Sequence, residues 1–133
     1  MARTYNPADL ALADPKSAAW ALAWARRLAA DVPAGSGAWP DHSLEDAEWQ
    51  AWLDATAVTD ADGNVWYRPH EAAARALEAN PVWLERISVG GVFQQFRTAR
   101  EAAAAIRRAG AWVDELIVAK GGPAAGKGIA PRW

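Results

Sequence analysis

The chain contains no cysteine, which excludes disulfide frameworks, thiolate zinc sites and cysteine nucleophiles together. Its two histidines, His42 and His70, leave little imidazole for metal ligation or acid–base work. Neither sign of charge dominates. Fourteen basic against 16 acidic side chains give a formal net charge of −2, so there is no global attraction to nucleic acid. No apolar run approaches the ~20 residues of a membrane span. The start, Met-Ala-Arg-Thr-Tyr-Asn-Pro, has no apolar signal core. An intracellular product without a membrane partner is expected. Nor does any nucleophile–base pair or metal set stand out. The acidic pairs Glu45/Asp46 and Asp114/Glu115 are adjacent along predicted helices and so point apart. No enzyme activity, catalytic residue, cofactor or metal is expected.

What the chain does have is tryptophan. Nine lie at positions 20, 24, 39, 49, 52, 66, 83, 112 and 133 of 133 residues. The length suits one domain, and a core that small can hardly bury nine such rings, each with an N–H that needs a partner. Some should sit at subunit or partner contacts, where tryptophan is enriched.

Residues 1–13 read as an irregular N-terminal arm. Asp14-Pro15 offers a cap and a first-turn proline, predicting a helix to about Asp31, with Trp20, Trp24 and Leu28 on one stripe. Arg26 and Arg27 near its end suit the helix dipole. Residues 33–40 are a loop by composition, and Ser43-Leu-Glu-Asp46 resembles a capping-box start for a helix to about Ala55. Val58 to Arg68 reads as strand, turn, strand around Asp62-Gly63. Asp60, Asp62, Asn64 and Glu71 match calcium-loop positions one, three, five and twelve. Val65 occupies the position that needs glycine, however, so an ordinary hairpin turn is expected. Pro69 opens a helix to Asn80, with His70 as a surface or capping residue. Thr98 and Glu101 form a capping box for one long helix to about Val118.

Two segments look built for contact. In the first, Ile87 and Val89 precede Gly90-Gly91, and Val92, Phe93 and Phe96 follow. Paired glycines suit a two-residue hairpin turn, and a lone hairpin must lean on a helix, a subunit or a partner. The second is residues 119–133, with four glycines, two prolines, three cations and no acidic side chain. It reads as an arm that cannot fold alone and that orders in a partner's groove through Lys120, Lys127, Ile129, Arg132 and Trp133. Its Gly121–Lys127 match to a phosphate loop lacks the following Ser or Thr, the preceding strand and the following helix. The expected fold is therefore mainly α: a small helical bundle (14–118) carrying a β-hairpin, followed by an extended C-terminal arm (119–133).

Arg86-Ile-Ser-Val-Gly-Gly-Val-Phe with the helix Thr98–Ile117, and looser similarity back to about Ser43, resembles the head–tail adaptor (connector, or head-completion) proteins of tailed bacteriophages. Phe96 stands where that family often has a tyrosine. The resemblance implies a virion structural protein, assembled in the host cytoplasm into a ring, commonly twelve-fold, beneath the portal. It also implies that residues 120–133 dock on the portal protein. The hairpin of residues 87–96 would meet a neighbour or the next neck or tail protein, while DNA passes through the lumen without specific recognition. The alternative is a small helical nucleic-acid-binding protein using Arg97, Arg100, Arg107, Arg108 and the basic tail.

Overall fold

The computed structural model describes residues 2–81 and 98–124. Among them the chain is mainly helical with one small antiparallel hairpin. A 3-10 helix (Pro7–Leu12) precedes α1 (Ala18–Leu28) and α2 (Asp46–Thr56). Strands β1 (Val58–Thr59) and β2 (Val65–Trp66) pair Val58 with Trp66 and Thr59 with Val65, and α3 (Pro69–Ala79), α4 (Ala99–Ala109) and α5 (Trp112–Ala119) follow. The N-terminal arm is thus partly helical: the Trp24 indole donates to the Leu10 carbonyl at 3.2 Å and fastens it to α1.

The start of α1 differs from the sequence expectation. Asp14 closes a short turn by accepting from the Lys16 N–H, and Ser17 caps the helix by accepting from the Trp20 N–H at 3.3 Å. Pro15 is fully buried, and its carbonyl accepts from the Tyr67 N–H at 2.7 Å. That tertiary bond holds Pro15 outside the helix. At the other end, Ala30 adopts φ 57°, and the N–H groups of Ala30 and Asp31 donate to the carbonyls of Arg27 and Arg26. This is a Schellman stop without its usual glycine. The expected Ser43 cap is also displaced. The Leu44 N–H is taken by the Asp31 carboxylate, so the chain turns helical only after Glu45, whose N–H donates to Glu48 Oε1 at 3.0 Å.

In the hairpin, Asp60 supplies the turn. One carboxylate oxygen accepts from the N–H groups of Asp62 and Asn64, the other from the Asn64 amide and the Trp66 indole, all within 3.1 Å. Both oxygens serve the turn, as expected of an ordinary hairpin. Gly63 takes the positive φ (87°) that the turn needs.

Helix α3 is the central element and packs on α1, α2 and α4. Ala72, Ala73, Ala74, Ala76 and Leu77 are all fully buried. Alanine side chains let three neighbours approach closely at little entropic cost. Helix α4 runs antiparallel to α3, since Gly110 at its end packs on His70 in the first turn of α3. The long helix expected from Thr98 to Val118 breaks at Gly110-Ala111. Thr98 does cap it, accepting from the Glu101 N–H at 3.1 Å. Gly110 is pressed against His70: a Cβ there would lie 2.2 Å from the His70 Cβ. The contact needs glycine for space, and glycine ends the helix. Helix α5 closes in a second Schellman motif, with Gly121 at φ 98° and the Gly122 N–H donating to the Ile117 carbonyl at 2.8 Å.

Of the tryptophans, Trp20, Trp49 and Trp66 are buried, Trp24, Trp39 and Trp52 are half-buried, and Trp112 remains 37% exposed. Trp83 and Trp133 lie outside the described residues. Replacing Gly110 by alanine should destabilise the fold by about 1–3 kcal/mol, because neither helix can retreat without losing burial elsewhere. A urea midpoint unchanged by Gly110→Ala would show that the α3–α4 approach is looser than described.

Candidate functional site

The residues expected to make contacts divide sharply. Ile87, Val89, Gly90, Gly91, Val92, Phe93 and Phe96 lie outside the described residues, as do Lys127, Ile129, Arg132, Trp133 and Arg97. Lys120 is described: it is exposed and caps α5, its N–H donating to the carbonyls of Leu116 and Ile117. The tail expected to be unpacked from residue 119 in fact remains part of the domain through Gly122. A Cβ on Gly122 would lie 2.8 Å from the Trp66 ring and 2.5 Å from Ile117 Cγ2.

The polar groups of the described core are organised by three networks. In the first, Arg26 is fully buried and donates to Asp31 Oδ2 at 2.9 Å and Asp46 Oδ1 at 2.7 Å. Asp31 Oδ2 also accepts from the Trp49 indole at 2.9 Å and the Leu44 N–H at 3.1 Å. The Trp39 ring covers the guanidinium at 4.8 Å. The sequence reading gave Arg26 to the helix dipole. The available signal was its position within an otherwise apolar helix, where a lone cation needs a buried acid.

The second network joins the start of α3 to α5. Arg68 grips Asp114 through Nε at 2.8 Å and an Nη at 3.1 Å, and His70 Nε2 lies 3.1 Å from Asp114 Oδ2. His70 is 2% exposed, contrary to the surface role expected of it, because Gly110 lets α4 close over it. The third network is Arg107 between Glu71 and Glu78, with Arg75 also on Glu71. It occupies one of the arginines that the nucleic-acid alternative needs.

Four carboxyls titrate abnormally, and all four shift the same way. Burial would raise Asp46, Glu71 and Asp114, but hydrogen bonds from Arg26, from Arg107 and Arg75, and from His70 and Arg68 respectively outweigh it and lower each. Asp60 is lowered to about 2, chiefly by the Trp66 indole and then by Asn64 and Asp62. In each of the four the lowering comes from hydrogen-bond partners within the scaffold. Among the described residues no group of three histidine or acidic side chains is placed to hold a metal ion.

The surface is less fully used. Trp112 packs edge-on against Trp24 and Trp20, with ring centroids 5.0 and 6.3 Å away, yet is 37% exposed. Val118 on the same short helix is 51% exposed. A shallow groove of about 440 Å³ beside it is lined by Asp114, Glu115, Val118, Ala119 and Ala124. Comparison with family models, curated proteins and solved structures gave no match.

Two outcomes follow from the networks. Asp31→Ala leaves Arg26 buried beside only the half-exposed Asp46, and should cost about 3–5 kcal/mol in chemical denaturation; a loss below 1 kcal/mol would mean that the guanidinium reaches water. The pH dependence has a definite sign. Each of the four carboxyls is lower in the folded state than its ordinary value of 3.8 (Asp) or 4.5 (Glu). Their stabilisation is therefore fully present above about pH 4.5 and is lost as the pH falls from there towards 2. The denaturation midpoint should fall steadily below pH 4, less steeply in Asp114→Asn.

Proposed function

We propose that this chain is a structural head–tail adaptor of a tailed phage or phage-like particle, forming a ring beneath the portal and joining it to the tail or neck. The observation that supports this most is where the two contact segments leave the domain. Because α3 and α4 are antiparallel, Pro81 and Thr98, which flank residues 82–97 in sequence, lie at one end of that pair. The C-terminal arm departs at the other end, where Gly122 rests on Trp66, just before the first turn of α3. Helix α3, eleven residues and about 16 Å long, lies between them. A part that joins two different partners needs contact elements at opposite ends of a rigid body, and a catalyst does not.

On this reading Lys120, Lys127, Ile129, Arg132 and Trp133 belong to the portal-docking arm. Ile87, Val89, Gly90, Gly91, Val92, Phe93 and Phe96 face a neighbouring subunit or the next neck or tail protein. DNA passes the ring without being read. The site of action is the virion, and the chemistry is binding, with no bond made or broken. Exposed Arg100 and Arg108 remain for a phosphate backbone, but Arg107 between them along the helix is held by Glu71 and Glu78.

Tagged full-length chain and a chain ending at Ala124 should be purified from the native source and their partners identified by mass spectrometry. Cutting after Ala124 retains the α5 stop and the Gly122–Trp66 contact, so loss of binding reports the arm and not the fold. The expected result is a portal-like or tail-neck protein with the full chain and its loss from the shortened one. Recovery of nucleic acid alone, with an affinity that falls steeply with salt, would overturn the adaptor reading.

A further inference from the structure

The outer side of the α4–α5 joint carries two charges of opposite sign with apolar groups midway between them. Arg108, Ala111, Trp112, Glu115 and Val118 are all exposed. One side of the Trp112 ring packs on Trp24 and Trp20, and 37% of the residue remains open to solvent beside Ala111. The joint is a tightened turn: the N–H groups of Ala111, Val113 and Asp114 donate to the carbonyls of Arg108, Gly110 and Ala111, each three residues back. The chain therefore keeps winding the same way through it, and Ala105, Arg108, Trp112, Glu115 and Val118 fall along one side. The side chains of Arg108 and Glu115 have no hydrogen-bond or ion-pair partner among the described residues.

We propose that this face is a two-fold contact between two copies of the chain, with the helices antiparallel and the axis between Ala111 and Trp112. Such a contact needs a surface complementary to itself, and the sequence along this face provides one. Positions 108 and 115 lie equally far from the axis, so Arg108 of each copy meets Glu115 of the other. The open edge of Trp112 seats against the small Ala111 of the other copy, and Val118, 51% exposed, lands on half-buried Ala105. An axis at Glu115 would instead set two acids together, so charge selects the register. One helix pair covers less than the roughly 1,200 Å² of a stable complex, so the pairing is weak and shows only at high protein concentration. The inference is independent of the adaptor reading, because a two-fold contact pairs copies whereas a ring closes through head-to-tail contacts on other surfaces.

Sedimentation velocity of the full-length chain at low salt, over rising concentration, tests this. The average mass should climb towards twice its low-concentration value. Arg108→Glu sets acids against acids at both ends of the contact, and Glu115→Arg sets bases against bases. Each alone should weaken pairing about tenfold, since both symmetry-related pairs turn repulsive at once. The double variant Arg108→Glu/Glu115→Arg should recover the affinity to within about threefold. An equimolar mixture of the two single variants should pair as well, because one brings only acids to the contact and the other only bases. Both positions are exposed, so the urea midpoint of each variant should match that of the parent and separate lost pairing from lost folding. A chain whose mass does not change with concentration would overturn the proposal. So would association that the single reversals leave unchanged, or that neither the double variant nor the mixture recovers.

Discussion

The structure depends on one buried cation. Arg26 carries a guanidinium and has no exposed surface, so the chain around it must supply negative charge or fail to fold there. Asp31 arrives because α1 ends in a Schellman turn that folds the next residues back on the helix. Asp46 arrives as the first residue of α2. Each acid then recruits more chain. Asp31 holds the Leu44 N–H and the Trp49 indole; Asp46 accepts from the Thr4 N–H at 2.8 Å and donates its own N–H to the Ala2 carbonyl. One guanidinium thereby ties together the N-terminal arm, the loop between α1 and α2, and both helices. Such a network adds less net stability than an apolar core of the same volume would. What it does provide is register, because Asp31 and Asp46 fix the two ends of the loop on one guanidinium.

A second part of the molecule is set by a steric constraint. Gly110 against His70 brings α4 so close to α3 that no side chain fits between them, and the helix must break there. The break turns α5 so that Asp114 meets Arg68 and His70, and Gly122 then reaches Trp66. From these contacts follow the two exits of the chain, one beyond Pro81 and the other beyond Ala124, at opposite ends of α3. The case for an adaptor rests on that placement together with the sequence resemblance.

Local chemistry was legible in the sequence, and distant pairing was not. The Thr98 cap, the Pro69 start and the turn at Asp62-Gly63 each depend on residues within a few positions of one another, and each stands as expected. The misplaced boundaries share one cause. Pro15 is held by Tyr67, Leu44 by Asp31 and Gly110 by His70, and in every case a tertiary partner overrides the local signal. The Arg68–Asp114 pair spans 46 positions and leaves no trace in spacing. Arg26 and His70 were visible as polar residues on apolar helices, but their partners were not. The segments assigned to contacts, 87–96 and most of 120–133, lie outside the described residues, so their roles rest on composition and resemblance.

Amide hydrogen exchange on the full chain tests the central claim most directly. If the Arg26 network is the constraint that holds arm, loop and helices as one body, the N–H groups of Asp31, Leu44 and Asp46 should open only with the whole domain. They would then exchange as slowly as buried amides of α3 such as Ala73 and Leu77, although two of the three lie in loops. Fast exchange at Leu44 and Asp46, with α3 still protected, would contradict the account. The loop would then open independently of the core, and Arg26 would be a local ion pair and not the organising centre.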